Sequence, residues 1–186
     1  AFAFCDSIET ITFAEGSRLT TVGSGAFVGT GMGSLDPPSG LQAIGAGAFA
    51  FCAALKTVRF AEELKTIGRR AFSQCSNLKT IAFAEGFNAA IGELAFEFSG
   101  LSSVAFPASL KTIGNYSFHQ CTALETITFA EGSVLETIGK YAFAATSITS
   151  VDFPASLKTI GAYAFYGGLA PNTVKTITFT EGTVLE

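Results

Sequence analysis

Histidine and aspartate are nearly missing from this chain of 186 residues: there is one His and there are three Asp. Hydrolytic chemistry needs a base, a nucleophile and an orienting group within mutual reach. His119 stands alone in SFHQC, and no HExxH occurs. Asp6, Asp36 and Asp152 fall far apart, so no carboxylate pair offers acid–base work. Basic residues are equally thin. The 11 Lys+Arg are scattered, Arg69-Arg70 is the only doublet and reads as a solvated turn, and net charge is −4. A nucleic-acid binder carries a basic stripe, and none is visible here. The longest apolar run, AIGAGAFAFCAAL at 43–55, falls short of the roughly 20 residues that span a bilayer. The opening AFAFC has no basic region before it and no cleavage site, so it does not read as a signal peptide. The cysteines Cys5, Cys52, Cys75 and Cys121 are 47, 23 and 46 residues apart, which fits no zinc pattern. Glycine is abundant, yet GSGAFVGTGMG (23–33) lacks both the GxGxxG spacing and a following Lys-Ser/Thr. The sequon Asn115-Tyr116-Ser117 places its Ser in a structural slot and reads as chance. No metal or cofactor is implied.

What is present is order and repetition. Hydrophobic residues make up 48% and charged residues 14%, which excludes a disordered chain. Phenylalanine recurs at 2, 27, 49, 72, 96, 118, 143 and 165, in steps of 25, 22, 23, 24, 22, 25 and 22. A second column follows at Phe13, Phe60, Phe83, Phe106, Phe129, Phe153 and Phe179, with Pro37 in the second repeat. Together they hold 15 of the 19 phenylalanines. Such a period means stacked coils, each too small to bury its own apolar face.

Within a coil, LxxIxF alternates and is rich in β-branched residues, which predicts a short strand. These strands are expected at Ile8–Phe13, Leu55–Phe60, Leu78–Phe83, Leu101–Phe106, Leu124–Phe129, Ile148–Phe153 and Val174–Phe179, with an irregular one near Met32–Pro37. LxxIG, as in Leu64–Gly68 and Leu110–Gly114, predicts a second strand whose Gly permits a sharp turn. GxxAFxxC is expected to form one helical turn with Phe and Cys inward. Successive strands should pair in parallel about 4.8 Å apart, so eight coils span on the order of 40 Å. Coils often alternate between a longer form ending FAEGS and a shorter one ending FPASL (106–110, 153–157), which suggests a duplicated two-coil unit of 47 residues.

Segments such as LKTIGRRAFSQCSNLKTIAF (64–83) resemble leucine-rich repeats of the BspA-like class, and the resemblance covers the whole chain. It implies a leucine-rich repeat solenoid of the α/β horseshoe class, β-dominated and right-handed, with about eight coils of 22–25 residues. Such proteins occur on bacterial and protist surfaces, and several are adhesins, which implies an extracellular or cell-surface location. Three departures predict local bulges: Asn88 where Leu is expected, MGSLDPP at 32–38, and GGLAPNTV at 167–174. Residues 1–186 are expected to be one solenoid domain. AFAFC reads as the back half of a coil, and GTVLE (182–186) stops where GSVLETIG (132–139) continues, so a longer array lacking its caps here is expected.

The columns sort the remaining candidates. His119 shares its column with Ala3, Val28, Ala50, Ser73, Glu97, Ala144 and Tyr166, a variable set expected on the convex surface. The cysteines share a small slot with Thr30, Ser99, Thr146 and Gly168 and are expected to be free thiols. The residue before the strand Ile is always hydroxylated: Thr10, Ser34, Thr57, Thr80, Ser103, Thr126, Ser150 and Thr176. The residue after it includes Thr12, Asp36, Arg59, Thr128, Asp152 and Thr178. Threonine suits any exposed strand. A flat hydroxyl face also suits a protein or glycan partner, and in leucine-rich repeats this sheet lines the concave face. The expectation is a non-enzymatic surface binding or adhesion module. An ice-binding face is disfavoured, because only three coils carry Thr-x-Thr and Arg59 and Asp152 interrupt the rows. The rival is a structural spacer or assembly element. It is motivated by Phe4, Phe51 and Phe98, which recur every second coil and are expected to be exposed and to pack against flanking repeats or another chain.

Overall fold

A computed structural model describes residues 1–84, 86–167 and 174–185. Their strands are β1 (Thr21–Val22), β2 (Ser34–Leu35), β3 (Ala43–Ile44), β4 (Thr57–Phe60), β5 (Thr66–Ile67), β6 (Thr80–Phe83), β7 (Ala90–Ile91), β8 (Ser103–Phe106), β9 (Thr112–Ile113), β10 (Thr126–Phe129), β11 (Thr137–Ile138), β12 (Ser150–Phe153), β13 (Thr159–Ile160) and β14 (Thr176–Phe179). Each LxxIG piece supplies an odd-numbered strand, and these seven form one continuous parallel ladder from β1 to β13. The LxxIxF pieces supply the even-numbered strands, which make the strand face. The result is a parallel solenoid of about seven turns. The expected strand at Ile8–Phe13 does not form. The first coil reaches the second on that face through the Gly33 N–H to Glu9 carbonyl bond at 3.2 Å.

The core is two stacks of aromatic rings. Neighbouring rings of the Phe2–Phe165 column lie 5.2–5.4 Å apart and within 18° of parallel. Phe49, Phe72, Phe96 and Phe118 have no exposure at all. Phe60, Phe106 and Phe153 meet this column edge-on at 5.6–5.7 Å. Each fully buried side chain of this size contributes about 1.5–3 kcal/mol.

The expected helical turn is absent: no helix occurs among the described residues. GxxAFxx instead forms a third hydrogen-bonded ladder. The Phe49 N–H donates to Ala71 O, Phe72 to Ala95, Phe96 to Ser117 and Phe118 to Ala142, each at 2.8 Å. Between them, Ala48 and Ala71 donate locally to Gly45 and Gly68 at 3.2 Å. Half of the N–H groups therefore leave the coil, where an α-helix would retain them. The backbone is turned by left-handed residues two before and two after the column Phe: Arg70 and Gln74, Tyr116 and Gln120, Tyr141 and Ala145. A left-handed residue stops a right-handed helix.

The LxxIG glycines serve a different purpose from the one expected. At Gly68 and Gly114 φ is not positive, but a Cβ would lie 2.7 Å from the Ala46 nitrogen and 2.5 Å from the Ile91 oxygen. They are small because the preceding coil's backbone passes against them. At the Asn88 departure, Phe87 fills the missing Leu position, fully buried against Phe60 and Phe83, and Asn88 is exposed. The departure at 167–174 falls largely outside the described residues.

Candidate functional site

Alternation turns the expected binding residues on the strands outward. All fourteen, from Thr10 to Thr178, are exposed, while Leu35, Val58, Val104 and Val151 point inward. Register aligns the hydroxyl column: Ser34 pairs with Thr57 and Thr57 with Thr80, Ser103 with Thr126, and Ser150 with Thr176. In the next column Arg59 faces Ala82, Ala105 faces Thr128, and Asp152 faces Thr178. Thr10 and Thr12 are exposed but lie on no strand, so the sheet does not order them.

The strand face is not one sheet. It consists of three: β2-β4-β6, β8-β10 and β12-β14. The cause is in the sequence. Within each sheet the residue just after the second-column Phe closes the ladder: Ala84 N–H donates to Phe60 O, Ala130 to Phe106, and Thr180 to Phe153, at 3.0–3.1 Å. At the two breaks that position is Pro107 or Pro154. Proline has no N–H to give. The opening bond is lost as well. Lys79 donates to Lys56, Glu125 to Ser102 and Lys175 to Thr149, but Ser102 and Thr149 make no such bond. Ring spacing records the same rhythm. Phe60–Phe83, Phe106–Phe129 and Phe153–Phe179 are 5.3–5.4 Å apart, whereas Phe83–Phe106 and Phe129–Phe153 are 6.3 Å.

The opening between β10 and β12 is a cleft of about 300 Å3 lined by Thr126, Thr128, Phe129, Ser150 and Asp152. A second hollow of about 380 Å3 continues it toward the loops, past Glu131, Ser133, Pro154 and Thr180, and shares Phe129 and Asp152. A larger depression, about 680 Å3, crosses the first sheet at Asp36, Arg59, Glu62 and Phe83. The fold thus gathers Thr126, Thr128, Ser150 and Asp152 at one opening and Asp36 and Arg59 at another. Thr57, Thr80 and Ser103 line neither. Phe129, Glu131 and Pro154 are not among the expected site residues, although they lie in the FAEGS and FPASL segments.

His119 departs from expectation. Its column is not outward-facing: Ala50, Ser73 and Ala144 are buried. His119 Nδ1 lies 3.5 Å from Glu97 Oε1 and has no hydrogen-bond partner, and the Ser73 hydroxyl reaches Glu97 Oε2 at 3.3 Å. The serine contacts the carboxylate and not the imidazole, so this row lacks the nucleophile–base contact of hydrolases. No group of His, Cys, Asp and Glu among the described residues is arranged to hold a metal.

All four thiols are free; Cys5 is exposed and the other three are buried. The Cys/Ser/Thr slot is a donor column. Cys52, Cys75 and Cys121 each point Sγ at the carbonyl of Phe27, Phe49 or Phe96 in the preceding coil, at 3.1 Å. Burial pushes the Cys121 thiol up to about 11, against a hydrogen bond from Ser99, and raises Cys75 further. These thiols are inert. Phe4, Phe51 and Phe98 are exposed as expected, at 76%, 58% and 40%. On the same turn face Tyr116, Tyr141 and Tyr163 stack at 5.0 and 4.9 Å, with Tyr166 edge-on to Tyr163. No helix among the described residues is long and apolar enough to cross a membrane.

No curated protein matches the sequence. Among solved structures, the pneumococcal vaccine antigen PcpA is 26% identical over 88% of this chain, with a TM-score of 0.61. A leucine-rich cell surface protein from Faecalibacterium prausnitzii is 21% identical over 79%, with a TM-score of 0.51. The chain spans only 36% and 47% of these two proteins. The model of the BspA type leucine rich repeat region matches residues 1–89 and 89–182 in six copies. Repeat pattern, stacked coils and that match agree: the chain belongs to the BspA type leucine-rich repeat family.

Proposed function

We propose that this solenoid is a non-enzymatic binding module of a cell-surface or secreted protein, and that its strand face meets a protein or glycan partner. The observation that carries the reading is the exposed row of Ser and Thr held in register across each sheet. Ordered hydroxyls on rigid strands donate and accept hydrogen bonds without paying loop-ordering entropy. Asp36, Arg59 and Asp152 interrupt the row and supply selectivity by charge. The two structural neighbours, a vaccine antigen and a cell surface protein, support a surface location. Screening the purified chain against arrayed glycans and extracellular matrix proteins tests this. Arg59→Ala, Thr80→Lys and Thr126→Lys should each weaken capture at least tenfold with the fold intact. Capture unchanged in all three excludes the strand face.

A spacer or assembly role is the second reading, favoured by the exposed left-handed Phe4, Phe51 and Phe98. Under it, Phe51→Ala with Phe98→Ala shifts sedimentation toward smaller species and the strand-face changes do not.

A further inference from the structure

Resting on the strand-face reading, we infer that the proline-opened cleft between β10 and β12 is a subsite for one neutral sugar ring of a glycan. Three kinds of group converge there. In a parallel ladder alternate residues turn their N–H and C=O toward each neighbour. The register of the paired coils turns Ile127 and Phe129 of β10 toward β12, and Ser150 and Asp152 of β12 toward β10. No ladder joins these two strands, so their backbone donors and acceptors are free for a polar ligand. Side chains add the hydroxyls of Thr126, Thr128 and Ser150 and the carboxylate of Asp152. Asp152 forms no ion pair or side-chain hydrogen bond among the described residues. Phe129, packed in the core between Phe106 and Phe153, gives the cleft an apolar border. It is only half-buried, unlike Phe106 and Phe153, and it lines both connected hollows.

A carboxylate that accepts from adjacent hydroxyls and peptide groups that donate and accept together match the hydroxyls of a pyranose ring. The volume, about 300 Å3, lies at the small end of the roughly 300–1,000 Å3 of small-molecule sites. It admits one ring and its linkage, not a protein surface. Charge selects further. Asp152 and Glu131 line the connected hollows and no Lys or Arg does, so sulfated and sialylated sugars are repelled. Pro154 keeps the site open by withholding the N–H that would close the strands.

The test is an amide chemical-shift titration of the whole chain with the methyl glycosides of glucose, galactose, mannose and N-acetylglucosamine. The expected result is saturable shifts at Thr128, Ser150 and Asp152 with at least one of them, and none with a sialic acid glycoside. Asp152→Asn should weaken that binding at least tenfold. Pro154→Ala should abolish it while the amide at 154 becomes exchange-protected, which shows that the fold survives. No shifts with any of the four sugars, or equal affinity in Asp152→Asn, overturns the subsite. If arrayed partners are still captured and released by Thr80→Lys, the subsite alone has failed and the strand-face reading stands. If nothing is captured, both have failed.

Discussion

At the scale of single residues, each column answers to one physical demand. The LxxIG glycines exist because a Cβ would strike the preceding coil, as at Gly114, 2.5 Å from the Ile91 oxygen. Gly114→Ala should therefore lower stability by about 2–3 kcal/mol, read as a lower midpoint in urea. The donor slot answers to a buried carbonyl. Cys121→Val removes the thiol bond to Phe96 O, which keeps its bond from the Ser99 N–H at 3.0 Å, and should cost about 0.5–1.5 kcal/mol; Cys121→Ser should cost less, because Ser99 already occupies the same slot. The thiols also set a pH limit. Folded Cys121 holds its proton up to about 11, against 9.0 for an unburied thiol. Protonated burial stabilises the fold fully below pH 9, and that stability is lost as pH rises from 9 toward 11. The melting temperature should fall over that window, and less so when Cys75 and Cys121 are serine. A native thiol assay should count only Cys5, and an assay in denaturant all four.

At the scale of elements, the strands were readable and the turn was not. Period-two alternation marks β4, β6, β8, β10 and β12 because one face is buried and the other wet. GxxAFxx suggested a helix because Ala and the apolar spacing favour one. The left-handed positions hold Arg70, Gln74, Leu94 and Tyr116, types that carry no left-handed signature. Neighbouring coils impose that backbone through the third ladder, and a single coil read in isolation cannot show it. The strain, about 1–2 kcal/mol at each such residue, is offset by the bonds between coils. The candidate face was legible residue by residue, because exposure follows alternation. Its division was missed because Pro107 and Pro154 read as marks of a shorter repeat and not as missing donors. Pro107→Ala should protect the amide at 107 from hydrogen exchange and draw β6 and β8 together. An unprotected amide there would mean that something other than proline holds the strands apart.

At the scale of the molecule, stability is a sum over coils and their interfaces. Position along the stack should then decide the cost of a substitution within one column. Phe118 is fully buried between Phe96 and Phe143, so Phe118→Ala should cost about 3–5 kcal/mol. Phe2, 49% exposed at the first coil, should cost under about 1 kcal/mol. Chemical denaturation of the two variants separates this picture from a uniform core, in which both would cost the same.

The stacked tyrosines have a spectroscopic consequence. The chain has no tryptophan, and all four tyrosines lie between residues 116 and 166. Excited at wavelengths that phenylalanine does not absorb, the chain emits in the ultraviolet from its C-terminal part alone, from rings about 5 Å apart that share their excitation. The N-terminal coils are dark. Emission is a local reporter and backbone dichroism a global one. If the array frays coil by coil, the two signals should give different midpoints during denaturation; if it unfolds as a unit, they should coincide.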